Sequence, residues 1–210
     1  MTKAHILSLV EKHKYVRREM IQQATGMQTR NCQHVLRDLT KKQVLYRFKL
    51  ARDETYIYHI DKPRSAKWRH WVAINEFHFA LMASLKPGQK VLYCQLEYRY
   101  SHGQSDALYV IQTRKDGGVS FFLEVDDGAN QFDKVEKYER YYIGRQWAQE
   151  VWQPKDVPVF PMVVCVTPRV REIEKLAGKA EKVAWRVYGC VGDAVKGLLA
   201  VRGQCPCFFS

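Results

Sequence analysis

The sequence predicts a mixed α and β protein, α+β to α/β in class, organised in two parts. Three observations carry this expectation. An apolar period of 3.6 residues recurs three times between Ala4 and Lys42, two β-rich runs follow as far as Ile60, and beyond Ser65 strands and helices alternate.

The helical stretches are Ala4 to His13, Val16 to Thr25 and Met27 to Lys42. In the third, Cys32, Val35, Leu36 and Leu39 fall at i, i+3, i+4 and i+7 and form one buried stripe. Gln28, Thr29, Arg30, Gln33, His34, Arg37 and Lys41 occupy the rest of the helix and its entry, with donors for phosphates and for base edges in a major groove. Gly26 supplies the turn before it. Val44 to Ala51 and Thr55 to Ile60 read as a hairpin around Arg52-Asp53-Glu54. Alternation sends Tyr46, Phe48 and Leu50, with Tyr56, Tyr58 and Ile60, toward the helices and leaves Arg47 and Lys49 facing solvent, and Arg52 in the turn is a further DNA-binding candidate. Helix, helix, helix, hairpin is the order of a winged helix-turn-helix, which the sequence assigns to residues 1–62.

Winged helices also serve as dimerisation modules, and a basic helix face is often only solvated. Charge distribution favours DNA: residues 1–62 hold 13 Lys and Arg against 6 Asp and Glu, a net +7 of the chain's +12.

Asp61-Lys62-Pro63-Arg64-Ser65 breaks the periodicity and reads as a linker into a second domain over residues 66–210. There, Trp68 to Leu85 is helical in pattern. Lys90 to Tyr98, Asp106 to Thr113 and Val119 to Asp126 are strands, and Asn130 to Trp147 is a helix. Val159 to Val166 is a continuous apolar strand, Arg169 to Ala180 a charged amphipathic helix and Val183 to Tyr188 a last strand. Such an alternation implies a sheet covered on both faces.

Across 210 residues, 46% apolar and 12% aromatic content exclude a largely disordered chain. No run reaches the roughly 18 apolar residues of a membrane span, and no signal peptide is read at the N-terminus, so a soluble, cytoplasmic protein is expected. Cys32, Cys94, Cys165 and Cys190 lie in apolar runs that suit buried, reduced thiols, and Cys205-Pro206-Cys207 lacks a second pair at zinc spacing. Neither a Walker phosphate loop nor a Gly-x-Ser-x-Gly elbow is present.

Chemistry is expected on the second and third strands of the second domain. A period of two places Glu124 and Asp126 on one face, with Phe121, Leu123 and Val125 on the other. With the turn at Lys115 to Gly118, Asp106 falls close to Glu124. Acids on neighbouring strands repel unless a cation lies between them, and Mg²⁺ or Mn²⁺ with oxygen ligands is the usual resolution. Glu97 and Glu76 are candidate further ligands. The plainer reading is that these acids are solvated strand ends and that Asp126-Asp127-Gly128 is a turn in its own right.

This arrangement resembles the PD-(D/E)xK nuclease-like fold, in which a helix precedes a three-stranded meander, a helix and a strand. The resemblance makes Asp106 and Glu124 its acids and Glu76 its helix acid, but Asp126 stands where the family has Lys. The chain also resembles the replication-relaxation family of plasmid and mobile-element proteins. The landmarks are His70 and Asn75, Asp106-Ala107, Phe121 to Asp126 with Gly128, Lys134 to Tyr138, and Val164-Cys165-Val166-Thr167-Pro168-Arg169 opening onto Arg171. That family implies a winged helix followed by a restriction-endonuclease-like domain acting in plasmid replication, DNA relaxation or transfer.

Three functions compete on this reading. One is an accessory protein that binds double-stranded DNA and recruits a relaxase or a replication initiator. Another is a Mg²⁺- or Mn²⁺-dependent endonuclease or nickase using Asp106, Glu124 and a basic residue from the next helix, Lys134 or Lys137. For those two lysines a solvated helix face is the favoured reading, and Asp126 in the Lys position weighs against cleavage. The third is a transcriptional regulator acting as a homodimer.

Overall fold

Residues 3–49, 55–62, 64–114, 117–128, 131–154 and 157–200 are described by the computed structural model. They form a mixed α and β chain in two units, Met1–Ala83 and Ser84–Ser210.

The first unit runs α1 (Lys3–His13), β1 (Val16–Arg17), α2 (Arg18–Thr25), α3 (Thr29–Lys41), β2 (Tyr46–Phe48) and β3 (Ile57–His59), followed by α4 (Trp68–Ser84). The second predicted helix starts two residues late because Val16 and Arg17 are extended and pair with Tyr58 and Ile57 of β3. Lys14, with φ 62°, makes the reversal between α1 and β1. Gly26 closes α2 in the left-handed conformation at φ 65°, its N–H bound to the Gln22 carbonyl at 2.8 Å. Ile6, Val10, Val16, Ile21, Cys32, Leu36, Leu39, Leu45 and Tyr58 form the core of the unit.

Hairpin register corrects one expectation. Tyr46 pairs with His59, Arg47 with Tyr58 and Phe48 with Ile57. Residues directly opposite face the same way, so Tyr46 and Phe48 lie on one face and Tyr58 on the other. Tyr58 enters the helical core together with Val16, its partner on β1. Phe48 meets Trp68 edge-on at 5.1 Å, and Tyr15 stacks on His59 at 5.3 Å. Neither face of the sheet is left bare.

The sequence reading began the second domain at residue 66, but α4 is tied to the first unit. Asn75, fully buried, donates to the carbonyls of His13 and Tyr15 at 2.7 Å each. Its own carbonyl lies 2.9 Å from His13 Nδ1. Further along, Arg17 pairs with Glu76 at 2.9 Å, and Gln23 donates to the Phe79 carbonyl at 2.6 Å.

The second unit contains β4 (Lys90–Leu96), the short hairpin β5 (Arg99–Tyr100) and β6 (Gly103–Gln104), β7 (Ala107–Arg114) and β8 (Gly117–Val125). After these come α5 (Lys134–Gly144), a 3₁₀ turn (Gln146–Gln149), β9 (Met162–Val166), α6 (Val170–Ala177), β10 (Trp185–Tyr188) and α7 (Val191–Ala200). Its main sheet has the order β10-β9-β8-β7-β4. The meander β4, β7, β8 is antiparallel, and β8, β9 and β10 are parallel.

Tyr138 and Tyr141 of α5 pack on Leu108, Val110, Phe122 and Val163 on one face, and Trp147 and Trp152 complete that core. On alternate positions Tyr109, Phe121, Leu123 and Val164 are equally buried. The predicted helix from Asn130 to Trp147 ends at Gly144, where Arg145 turns left-handed at φ 54°. Sequence periodicity missed β5, β6 and α7. Gly197 weakens the helical signal of α7, yet a Cβ there would lie 2.4 Å from Tyr188 Oη.

Cys32 and Cys165 are buried as expected, Cys94 is half-buried, and Cys190 is exposed, contrary to its assignment to the core. Cys205 and Cys207 lie outside the described residues. No helix among those described is long and apolar enough to cross a membrane.

Candidate nucleic-acid interface and carboxylate site

On α3, Cys32, Leu36 and Leu39 are buried, while Arg30, Gln33, His34, Arg37 and Lys41 are exposed. At about 100° per residue these five form a single stripe centred roughly opposite the buried one. Its acid is drawn aside: Asp38 pairs with Lys3 and Lys42. Gln28 and Thr29 are exposed at the helix entry, where the Thr29 hydroxyl accepts a 2.9 Å hydrogen bond from Gln22.

On the hairpin, the Arg47 guanidinium lies 4.2 Å and the Lys49 ammonium 4.9 Å from the centre of the Tyr56 ring. Both side chains are exposed. Arg52 lies outside the described residues.

In the second unit the pairing of Ala107 with Leu123 sets Asp106 beside Glu124 at the ends of β7 and β8. The Asp106 N–H donates to the Leu123 carbonyl at 3.1 Å, and its Oδ2 accepts the Val125 N–H at 2.6 Å. Glu124 is 3% exposed, deep enough to require partners for both carboxylate oxygens. Tyr138 donates to its Oε1 at 2.6 Å, and the Lys134 ammonium lies 3.0 Å from its Oε2. Lys134 and Tyr138, four residues apart on α5, therefore meet one carboxyl group from the same helix face.

Lys134 also donates to the Gln104 carbonyl at 2.5 Å, joining β6 to the cluster. Burial pushes the Glu124 carboxyl up to about 8, the Asp106 charge adds to the rise, and Lys134 and Tyr138 oppose it. The solvated reading of Lys134 is thus overturned. Lys137, by contrast, pairs with Asp133, the residue that precedes α5.

Asp126 and Glu97, the other expected ligands in this unit, are not gathered with Asp106 and Glu124. Asp126 lies past the end of β8, where its Oδ1 accepts from Arg169 at 2.8 Å and its Oδ2 from Thr167 at 2.6 Å and from Arg169 Nε at 3.1 Å. The Gly128 N–H binds Oδ1 at 3.1 Å. These donors hold the Asp126 carboxyl below its ordinary value although burial works in the opposite sense. It serves as a latch between the ends of β8 and β9, its own N–H donating to the Val166 carbonyl at 3.0 Å.

Glu97 is exposed in a left-handed turn at φ 51°, and only its backbone N–H reaches Asp106, at the carbonyl. Glu76 belongs to the first unit and pairs with Arg17. Among the described residues no group of three or more His, Cys, Asp and Glu side chains is gathered for a metal.

Sequence reasoning used Tyr138, Thr167 and Arg169 as landmarks of a resemblance and gave them no role in the site. The spacing of Lys134 and Tyr138 was a usable signal for the first, whereas the bidentate Arg169 contact depends on the parallel pairing of β8 with β9. Comparison with protein families, with characterised proteins and with solved structures found no match to this chain.

Proposed function

We propose that the chain binds double-stranded DNA through its first unit, a winged helix-turn-helix with α3 as recognition helix. On this proposal it acts as an accessory protein of a plasmid or other mobile element. The observation that carries DNA binding is the exposed stripe Arg30, Gln33, His34, Arg37 and Lys41, set opposite the buried side of α3. The element order and the β1-β3-β2 sheet support the winged-helix reading. A role in replication, relaxation or mobilisation, with a relaxase or initiator as partner, rests on the family resemblance of the sequence.

The test is a gel-retardation salt series on duplex DNA. Affinity should fall with log-log slope of about 0.9 per phosphate contacted, and Arg30→Ala/Arg37→Ala should lower both affinity and slope. Salt-independent binding, or none, would refute the reading.

A second reading, a metal-dependent nuclease, gains from one observation: the Lys134 ammonium lies 3.0 Å from Glu124, where it would stand in for the lysine that the nuclease-like fold carries at the position of Asp126. Asp106 and Glu124 fit Mg²⁺ or Mn²⁺, which are often held by one or two carboxylates while water and substrate phosphate complete the shell. Such an ion would supply an activated water and neutralise charge on the phosphate. Lys134 would hold Glu124 in place and offer positive charge beside it. Conversion of supercoiled plasmid to open circle, abolished by Asp106→Ala and by Lys134→Ala, is the expected result; no conversion in either metal would remove this reading.

A further inference from the structure

Four cations in and after the linker, Lys62, Arg64, Lys67 and Arg69, are exposed, and none forms an ion pair among the described residues. Within residues 61–70 the only acid is Asp61. The Arg64 guanidinium lies 4.3 Å from the centre of the Phe48 ring and 5.4 Å from that of Trp68. Arg69 lies 5.2 Å from the same Trp68 ring, and the Lys62 ammonium 5.5 Å from Tyr46.

The backbone that carries them is pinned. Tyr15 Oη accepts the Ser65 N–H at 2.7 Å, the Asp61 carbonyl lies 2.8 Å from His59 Nδ1, and Ser65 Oγ accepts the Lys67 N–H at 3.2 Å.

We infer that Lys62, Arg64, Lys67 and Arg69 form a second phosphate-binding surface that holds the backbone of the same duplex outside the segment read by α3. This rests on the DNA-binding reading above. A guanidinium stacked on an aromatic face keeps its in-plane N–H donors for a phosphate, and because the ring already orders it, less side-chain entropy is lost on binding. Phe48 lies on the edge strand β2, on the face opposite Arg47 and Lys49, so the linker cations and the hairpin cations flank that strand from its two sides. Contacts of this kind add affinity without sequence preference.

The experiment is a salt series on two unrelated duplexes with the full chain, Arg64→Gln/Arg69→Gln, Lys62→Gln/Lys67→Gln and Arg30→Ala/Arg37→Ala. Each Gln pair should lower the slope by about 2 and weaken both duplexes alike, roughly tenfold at 0.15 M salt. The lysine pair guards against misfolding of the arginine pair, because Lys67 meets no ring among the described residues and Lys62 lies 5.5 Å from that of Tyr46, farther than Arg64 lies from Phe48. If the α3 variant loses binding while both Gln pairs match the wild type, this inference fails and the DNA-binding reading stands. If wild type binds neither duplex, both fail. Loss of binding to anionic vesicles alone would make the surface a membrane contact and overturn the inference.

Discussion

Lys134 Nζ lies 3.0 Å from Glu124 Oε2, joining the first turn of α5 to the last residues of β8 at a carboxyl group that is almost wholly buried. Removing the lysine leaves Glu124 beside Asp106 with only the Tyr138 donor. Lys134→Met is expected to lower stability by about 2 kcal/mol at pH 8.5, and Glu124→Gln/Lys134→Met by less than the sum of the single changes. Urea unfolding of the four proteins checks this. Strict additivity would mean that the pair contributes no coupling.

Asn75→Ala should destabilise the first unit by about 3 kcal/mol, because it strips the carbonyls of His13 and Tyr15 and the His13 ring of their common partner. Asn75→Asp should not rescue it, since a carboxylate cannot donate to two carbonyls. Thermal melts of the two variants would separate this role from a simple packing loss.

Asp126→Asn should cost stability, by about 1–2 kcal/mol, through the weakened Arg169 pair. Open-circle formation, if wild type shows it, should persist in this variant. Loss of cleavage with unchanged stability would make Asp126 a candidate metal ligand.

Burial lowers the pKa of His13, His59 and His78, the last to about 3. The unfolded chain takes up these protons as pH falls through about 6.5, whereas the folded chain resists them. The unfolded state therefore binds more protons below that pH, so the histidines favour folding above about 6.5 and their contribution is lost on acidification. The raised Glu124 carboxyl works in the opposite sense over this range, so the comparison is with wild type: between pH 7 and pH 5 His78→Leu should lose less melting temperature than the wild type. A slope unchanged by that substitution would exclude His78 as a source.

Gly197→Ala should destabilise the second unit by about 1–3 kcal/mol, since the added Cβ would lie 2.4 Å from Tyr188 Oη and 2.9 Å from two of its ring carbons. In a Tyr188→Leu background the same change should cost much less. Equal costs in both backgrounds would place the conflict elsewhere.

Much of the local structure was legible because it follows from periodicity. Cys32, Leu36 and Leu39 were read as the buried side of α3 from spacing alone, and the hairpin placed Asp106 near Glu124, although counting from a turn at Lys115 to Gly118 sets it opposite Asp127 and only the observed register sets it beside Glu124. A period of two placed Asp126 with Glu124, but its carboxyl is taken up by Arg169 and Thr167 beyond the end of β9. The Tyr46 and Tyr58 faces were misread because each strand was phased separately, while their relative phase is a property of the register between them.

The sequence by itself determined the helical faces, the charge concentrated in residues 1–62, and the approach of two acids on neighbouring strands, since these depend on spacing along the chain. Only the tertiary structure decided that Lys134 rather than Lys137 meets Glu124, that Arg169 and Thr167 take up Asp126, and that α4 joins the first unit through Asn75. Each of these contacts joins residues that helical or strand period does not link, and burial selects among them, because a polar group removed from water is tolerated only where a partner reaches it.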